Sequence, residues 1–318
     1  IGVAGLLFSL AVYLVEIITR PQRPHAFDAY FFSPYELDLP AEVVTFPPLH
    51  GEHMISAWYI PYEQATTTIL LCPGYRTRKS DLLGLCAHLW KAGHNVLVFD
   101  YYGHGTVVGT PVTLGYREIN DFLGAVAYAK ERAPQNRLGV VAYSMGAAVA
   151  IMSSARCGDV EALVVDSSFA THTSVIDYNI RRAAPIPSAP IIWIADYLLW
   201  WRAGYRFRQV EPLRDIGRIS PRPLLIIHGG KDSMVDPRDA RLLYEAAKEP
   251  KELWIVPEAD HCGAYFADRR VYTQKVIDFF DLYLKNSRPR LQLIENVAQE
   301  QVEVGEEDDV TPDLSEAS

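Results

Sequence analysis

RLGVVAYSMGAAVA, residues 137–150, joins a β-branched apolar run directly to a helix of small residues. Leu138–Tyr143 reads as a strand buried on both faces, because apolar residues follow one another without alternation. Met145 to Arg156 reads as a helix, so Ser144 falls on a strand-to-helix turn with no loop between. A sharp turn of this kind holds a serine in strained backbone geometry. It needs small residues two positions before and after, here Ala142 and Gly146, and it presents the Oγ at the C-terminal edge of a sheet.

Outward from this turn the chain alternates between strand and helix patterns. Strands are expected at Val43–Phe46, Ile55–Ile60, Thr68–Cys72, Asn95–Phe99, Ala162–Val165, Leu224–His228 and Glu252–Val256. Helices are expected at Ser80–Ala92, Tyr116–Arg132, Pro237–Lys248 and Arg269–Leu284. Ser80 with Asp81, and Asp236 before Pro237, supply helix-start chemistry. Such alternation predicts an α/β fold with right-handed crossovers: a mostly parallel, doubly wound sheet of about eight strands. The first two strands have no helix between them and are expected to pair antiparallel.

A serine at this edge needs a base and an acid to orient it. In the chain order Ser…Asp…His, His261 follows the last strand in WIVPEADHCGAY, and Asp232 follows the preceding one in LLIIHGGKDSMVDP. Asp236 competes for the acid position but reads better as a helix cap. Asp166, ending the strand before, is the alternative acid. A developing oxyanion needs donors. The Met145 N–H heads the helix after Ser144, and the Tyr75 N–H lies in LLCPGYRTRKSD, where Gly74 lets the backbone approach.

With these motifs in place, the sequence over roughly residues 40–285 resembles the α/β-hydrolase-fold serine hydrolases. It is similar to the branch carrying FDYYGHG after the fourth strand, TLGYREINDF before the next helix, and HGGKDSMV and ADHCG at the acid and base. Its look-alikes are the membrane-anchored hydrolases of the Bem46 type and the serine-aminopeptidase-like S33 group. The resemblance implies Ser144 as nucleophile, His261 as general base, Asp232 as its partner, and Tyr75 and Met145 as the oxyanion hole. It makes His228 and His104 structural. Two positions depart from the pattern: Ala142 stands for a glycine, and Pro73 where many relatives carry histidine.

The rest of the chain bounds the reading. It has 318 residues, 49% hydrophobic and 22% charged, with formal charge −9. Nine acidic residues and no basic ones lie between Leu291 and Ser318, which leaves the preceding chain formally neutral. A nucleic-acid partner would require a basic surplus. Cys72, Cys86, Cys157 and Cys262 are scattered without metal-ligand spacing. No dinucleotide or phosphate-loop pattern holds, and His50 and His53 lie beside a strand rather than one turn apart on a helix. The expected chemistry therefore uses no cofactor and no metal.

The domain plan read from the sequence has five parts. Residues 1–20 form a hydrophobic helix, whose run Ile1–Ile18 is read as a single membrane anchor. Arg20 and Arg23 behind it place the body on the cytoplasmic side. Residues 21–40 are a linker, 41–287 the hydrolase domain, 170–215 a lid or cap insertion within it, and 288–318 an acidic disordered tail. Trp193, Trp200 and Trp201 in the insertion either line an apolar substrate pocket or pack the lid onto the body. The function expected is a serine carboxylesterase, lipase or acyl-thioesterase acting on a small-molecule or lipid-like ester. An S33-like peptidase, amidase or acyltransferase on the same triad is the alternative. A non-catalytic membrane-tethered binding module is the reading from another class. The oligomeric state is not legible.

Overall fold

A computed structural model describes residues 2–20, 32–105 and 112–285. Eight strands form one sheet: β1 Glu42–Phe46, β2 Ile55–Ile60, β3 Thr67–Cys72, β4 Asn95–Phe99, β5 Arg137–Tyr143, β6 Val160–Asp166, β7 Leu224–Gly229 and β8 Lys251–Val256. Their order across the sheet is β1-β2-β4-β3-β5-β6-β7-β8. β1 pairs antiparallel with β2, and β2 with β4. All pairings from β4 through β8 are parallel. Strands β3, β4 and β7 are buried at every position, as the unbroken apolar runs predicted, because helices cover both faces.

The helices are α1 Val3–Thr19, α2 Leu83–Lys91, α3 Glu118–Arg132, α4 Met145–Ser154, α5 His172–Ala183, α6 Ser188–Ala203, α7 Pro212–Asp215, α8 Pro237–Ala246, α9 Ala264–Ala267 and α10 Arg269–Phe280. On one face Phe122 of α3, Ile151 of α4 and Leu243 of α8 join a core with Leu70, Val140 and Ile226. On the other, Leu89 of α2 and Val276 and Phe280 of α10 pack against Ile69, Val141 and Ile227. Alternate residues of the same strands face the two cores, as the pleat requires. Asp236 caps α8 by accepting the Arg238 N–H, so it is occupied as a cap rather than at the site.

Residues 170–215 carry α5, α6 and α7 and form a third core with α1. There Ala11, Val15 and Ile18 of α1 are buried with Ile191, Ala195 and Leu199 of α6. Glu16 pairs with Arg202 at 2.9 Å. The membrane anchor, and the placement of the body on one side of a bilayer that rested on it, are overturned. Among the described residues no helix is long and apolar enough to cross a membrane. Seventeen residues reach only ~26 Å, short of a ~30 Å hydrocarbon layer. The physical reason is that this apolar run buries one face against α6. Hydropathy alone does not separate a helix apolar for packing from one apolar for lipid. The acidic tail and residues 21–31 of the linker lie outside the described residues.

Candidate active site

β5 delivers Ser144 into the turn with φ 50° and ψ −117°. A positive φ at a residue with a Cβ costs energy, and it persists where the surroundings over-determine it. Here the Ser144 N–H donates to the Asp166 carbonyl at 2.8 Å, and the Ser144 carbonyl accepts the Ala148 N–H as α4 begins. Gly146 is required by the packing. A Cβ there would stand 2.3 Å from the Pro73 carbonyl oxygen, because α4 crosses directly over the end of β3. Ala142 lies opposite Cys72 in the β3–β5 ladder and is fully buried, so the fold accommodates its methyl where a glycine is usual.

His261 Nε2 lies 2.9 Å from Ser144 Oγ, and its Nδ1 lies 2.8 Å from Asp232 Oδ2. An ionised carboxylate only accepts, so Nδ1 carries the proton and Nε2 is left to accept from the serine hydroxyl. Asp232 Oδ1 accepts the Met234 and Val235 N–H groups, both at 2.8 Å. His228 Nε2 stands 3.2 Å from Asp232 Oδ2. Burial by itself would raise the Asp232 carboxyl. The hydrogen bonds from His228 and His261, the charge of His261 and the Val235 N–H outweigh it and hold the group well below the usual carboxylate range.

The loops that carry Asp232 and His261 meet through backbone. A Cβ on Gly229 would lie 2.5 Å from the carbonyl oxygens of Ala259 and Asp260, so only glycine lets the two loops pass this closely. Asp260 Oδ1 accepts the N–H groups of both His261 and Ser233, which pins one loop to the other.

Met145, expected as an oxyanion donor, begins α4, where helix geometry leaves its N–H without an intrahelical partner. Gly74 runs against Ser144, since a Cβ on it would sit 3.2 Å from Ser144 Cβ, and the next residue, Tyr75, lines the same cavity as Ser144. The Tyr75 hydroxyl donates to the Ile17 carbonyl at 2.7 Å, tying this loop to the last turn of α1.

Asp166, the alternative acid, is fully buried. Its carboxylate accepts from Ser167 Oγ and from the Tyr272 hydroxyl, each at 3.0 Å. Burial pushes its carboxyl up to about 6, against those two hydrogen bonds and the charges of His228 and His261.

Ser144 and His261 line a cavity of about 310 Å³ whose walls include Leu82, Leu85, Tyr143, Tyr265 and Phe266. None of these five was expected as a wall residue from the sequence. The signal for Tyr265 and Phe266 was their place just after His261; Leu82 and Leu85 carried none beyond helical apolarity. Trp193, Trp200 and Trp201 do not line this cavity, a correction to the pocket expected there. They are 77%, 48% and 77% exposed, because α6 turns its Ile191, Ala195 and Leu199 face inward against α1. A larger surface groove of about 600 Å³ lies against β8 and α10, but it shares no residue with the Ser144 cavity.

A serine held at an elbow between β5 and α4, over a mostly parallel eight-stranded sheet with Asp232 and His261 on the loops after β7 and β8, has the architecture of an α/β hydrolase. The chain belongs to the alpha/beta hydrolase family, whose profile matches residues 69–273. It is 29% identical over 285 residues to the uncharacterized protein YqkD of Bacillus subtilis, covering 87% of this chain and 92% of that one. It is 24% identical over 309 residues to the alpha/beta hydrolase domain-containing protein WAV2 of Arabidopsis thaliana, covering 91% and 94%. Among solved structures, the Pyrococcus furiosus esterase Pf2001 superposes with a TM-score of 0.67 at 23% identity, over 83% of this chain and all of that chain. At that identity the superposition speaks for the fold.

Proposed function

We propose that the protein is a serine hydrolase that cleaves carboxylic esters with an apolar acyl group of modest length. The observation that carries this is the continuous Ser144–His261–Asp232 hydrogen-bond chain at 2.9 and 2.8 Å, opening on an apolar cavity. His261 takes the Ser144 proton as Oγ attacks the ester carbonyl, and the oxyanion is held by the Tyr75 and Met145 amides. His261 then gives that proton to the leaving alcohol, and a water activated by the same base releases the acid from the acyl-enzyme. Asp232 keeps the imidazole in the required tautomer and stabilises its charged form. Family membership and the esterase among the structural neighbours support hydrolytic chemistry; the ester preference and these residue roles are the proposal.

At about 310 Å³ the cavity stands at the small end of ligand pockets, which favours short and medium acyl chains over long ones. The test is fluorophosphonate labelling of the wild type and of Ser144→Ala, followed by p-nitrophenyl esters from C2 to C16. Labelling lost in the variant and a rate maximum at about C4–C8 agree with the proposal. A folded wild type that takes no label sinks it.

A further inference from the structure

Asp166 and Ser167 take no part in the proton transfers above, yet groups from both sides of the triad converge on them. The main-chain oxygen of Asp166, extending the β5–β6 ladder, accepts the N–H of Ser144 at 2.8 Å. Ser167 Oγ accepts the N–H of Cys262, the residue after His261, at 3.1 Å, and donates to Asp166 Oδ1 at 3.0 Å. From the far side, the Tyr272 hydroxyl donates to Asp166 Oδ2 at 3.0 Å and lies 3.1 Å from the hydroxyl of Tyr143. A phenol has one proton. With that of Tyr272 on Asp166, the Tyr143 hydroxyl donates to Tyr272, and every proton in the chain points toward the carboxylate.

The backbone repeats the pattern. Ser144, Ser167 and Cys262 have φ of 50°, 56° and 51°, each a residue with a Cβ in the left-handed region. Ser167 is hydrogen-bonded to Cys262, and its neighbour Asp166 to Ser144. Three strained residues joined at one buried point mark a place where geometry is enforced.

We propose that Asp166 and Ser167 are positioning residues: they tie the backbone of the nucleophile to that of the base loop, so that the Ser144–His261 separation is set through β6. Asp166 fixes the Ser167 hydroxyl as donor, which aims its lone pair at the Cys262 N–H. The inference rests on the Ser144 mechanism for its kinetic consequence but not for the tie itself.

Three full-length variants test it: Ser167→Ala, Asp166→Ala and Asp166→Asn. Asparagine keeps an oxygen for Ser167, and its NH₂ donates to Tyr272, whose proton then turns to Tyr143, so it is the conservative rescue. Hydrogen exchange in the peptide spanning 257–263 rises in both alanine variants and stays near wild type in Asp166→Asn. With p-nitrophenyl butyrate, kcat falls about tenfold or more in the alanine variants, KM stays within about twofold, and Asp166→Asn recovers most of the rate. A residue of structural value alone would lower the melting temperature and leave kcat of the folded enzyme unchanged. Should Asp166→Ala fail to fold, Ser167→Ala decides.

Unchanged loop exchange in the alanine variants overturns the proposal, as does raised exchange with unchanged kcat. A wild type without turnover whose loop exchange still rises in those variants overturns the ester-cleavage reading and leaves the tie standing.

Discussion

His261 Nε2 stands 2.9 Å from Ser144 Oγ across 117 positions of sequence. The contact depends on two loops passing backbone to backbone at Gly229 and on the strained turn at Ser144. Replacing Ser144 with alanine removes the hydroxyl and keeps the turn. Ester turnover is expected to fall by about 10⁴-fold or more, with the melting temperature unchanged. Ser144→Gly is expected to be equally inactive but more stable by about 1 kcal/mol, since glycine meets φ 50° without strain. Paired kinetics and thermal melts of the two variants check this.

Asp232→Asn is expected to lower kcat about 10⁴-fold, because an amide no longer holds the imidazole in the right tautomer. It also changes acid stability. The folded Asp232 carboxyl is held below its unfolded range, so its contribution is present above about pH 4 and is lost as pH falls further toward the folded value. Urea unfolding at pH 7 and at pH 3 should show the wild type's advantage over the variant shrinking at the lower pH.

Asp166 carries the opposite sign. Its carboxyl is raised from 3.8 to about 6, so the native state binds the extra proton between those values and loses stability as pH rises through them. The penalty is complete above about pH 6. Asp166→Asn is therefore expected to gain up to about 3 kcal/mol at pH 7.5, with the gain vanishing near pH 4. Denaturant midpoints at the two pH values measure it.

Gly146→Ala forces a Cβ to within 2.3 Å of the Pro73 carbonyl oxygen. The clash should cost about 2–3 kcal/mol and displace Pro73–Tyr75 from the oxyanion side, with kcat falling together with stability. Ala142→Gly at the other flank is expected to leave kcat unchanged and cost only about 1 kcal/mol, the entropy of a glycine in a strand. Chemical denaturation and steady-state rates of the two variants give the comparison.

Leu85, 3% exposed in the cavity wall, sets chain length in this reading. Leu85→Phe should move the preferred p-nitrophenyl ester to a shorter acyl chain. Trp201→Ala should leave kcat/KM on short esters within about twofold, because that ring is 77% exposed and lies outside the cavity. The C2–C16 series run on both variants separates the two walls.

The sheet was legible because its evidence is local. Unbroken runs such as TILL and LLII read directly as strands covered on both sides, and these fall in β3 and β7. Ser144, Asp232 and His261 were legible as candidates because each follows a strand in a short motif; Asp236 was set aside by its cap chemistry, and the family resemblance, not chain order, put Asp232 ahead of Asp166. The cavity was not legible. Leu82 just before α2, Leu85 on α2, and Tyr265 and Phe266 on α9 become neighbours only when the sheet brings those helices to one edge.

The βα alternation, the strand-to-helix serine and the order of the candidate triad are written locally in the chain, since backbone conformation and strand burial follow from residues a few positions apart. What the apolar N-terminal run packs against, which way Trp193, Trp200 and Trp201 of α6 face, and that Asp166 bonds Ser167 and Tyr272 emerge only once distant segments pack together. Ala11, Val15 and Ile18 of α1 are apolar for α6, some 180 residues away. No local pattern distinguishes that partner from lipid, because apolar area is removed from water at the same free-energy gain whatever apolar surface covers it.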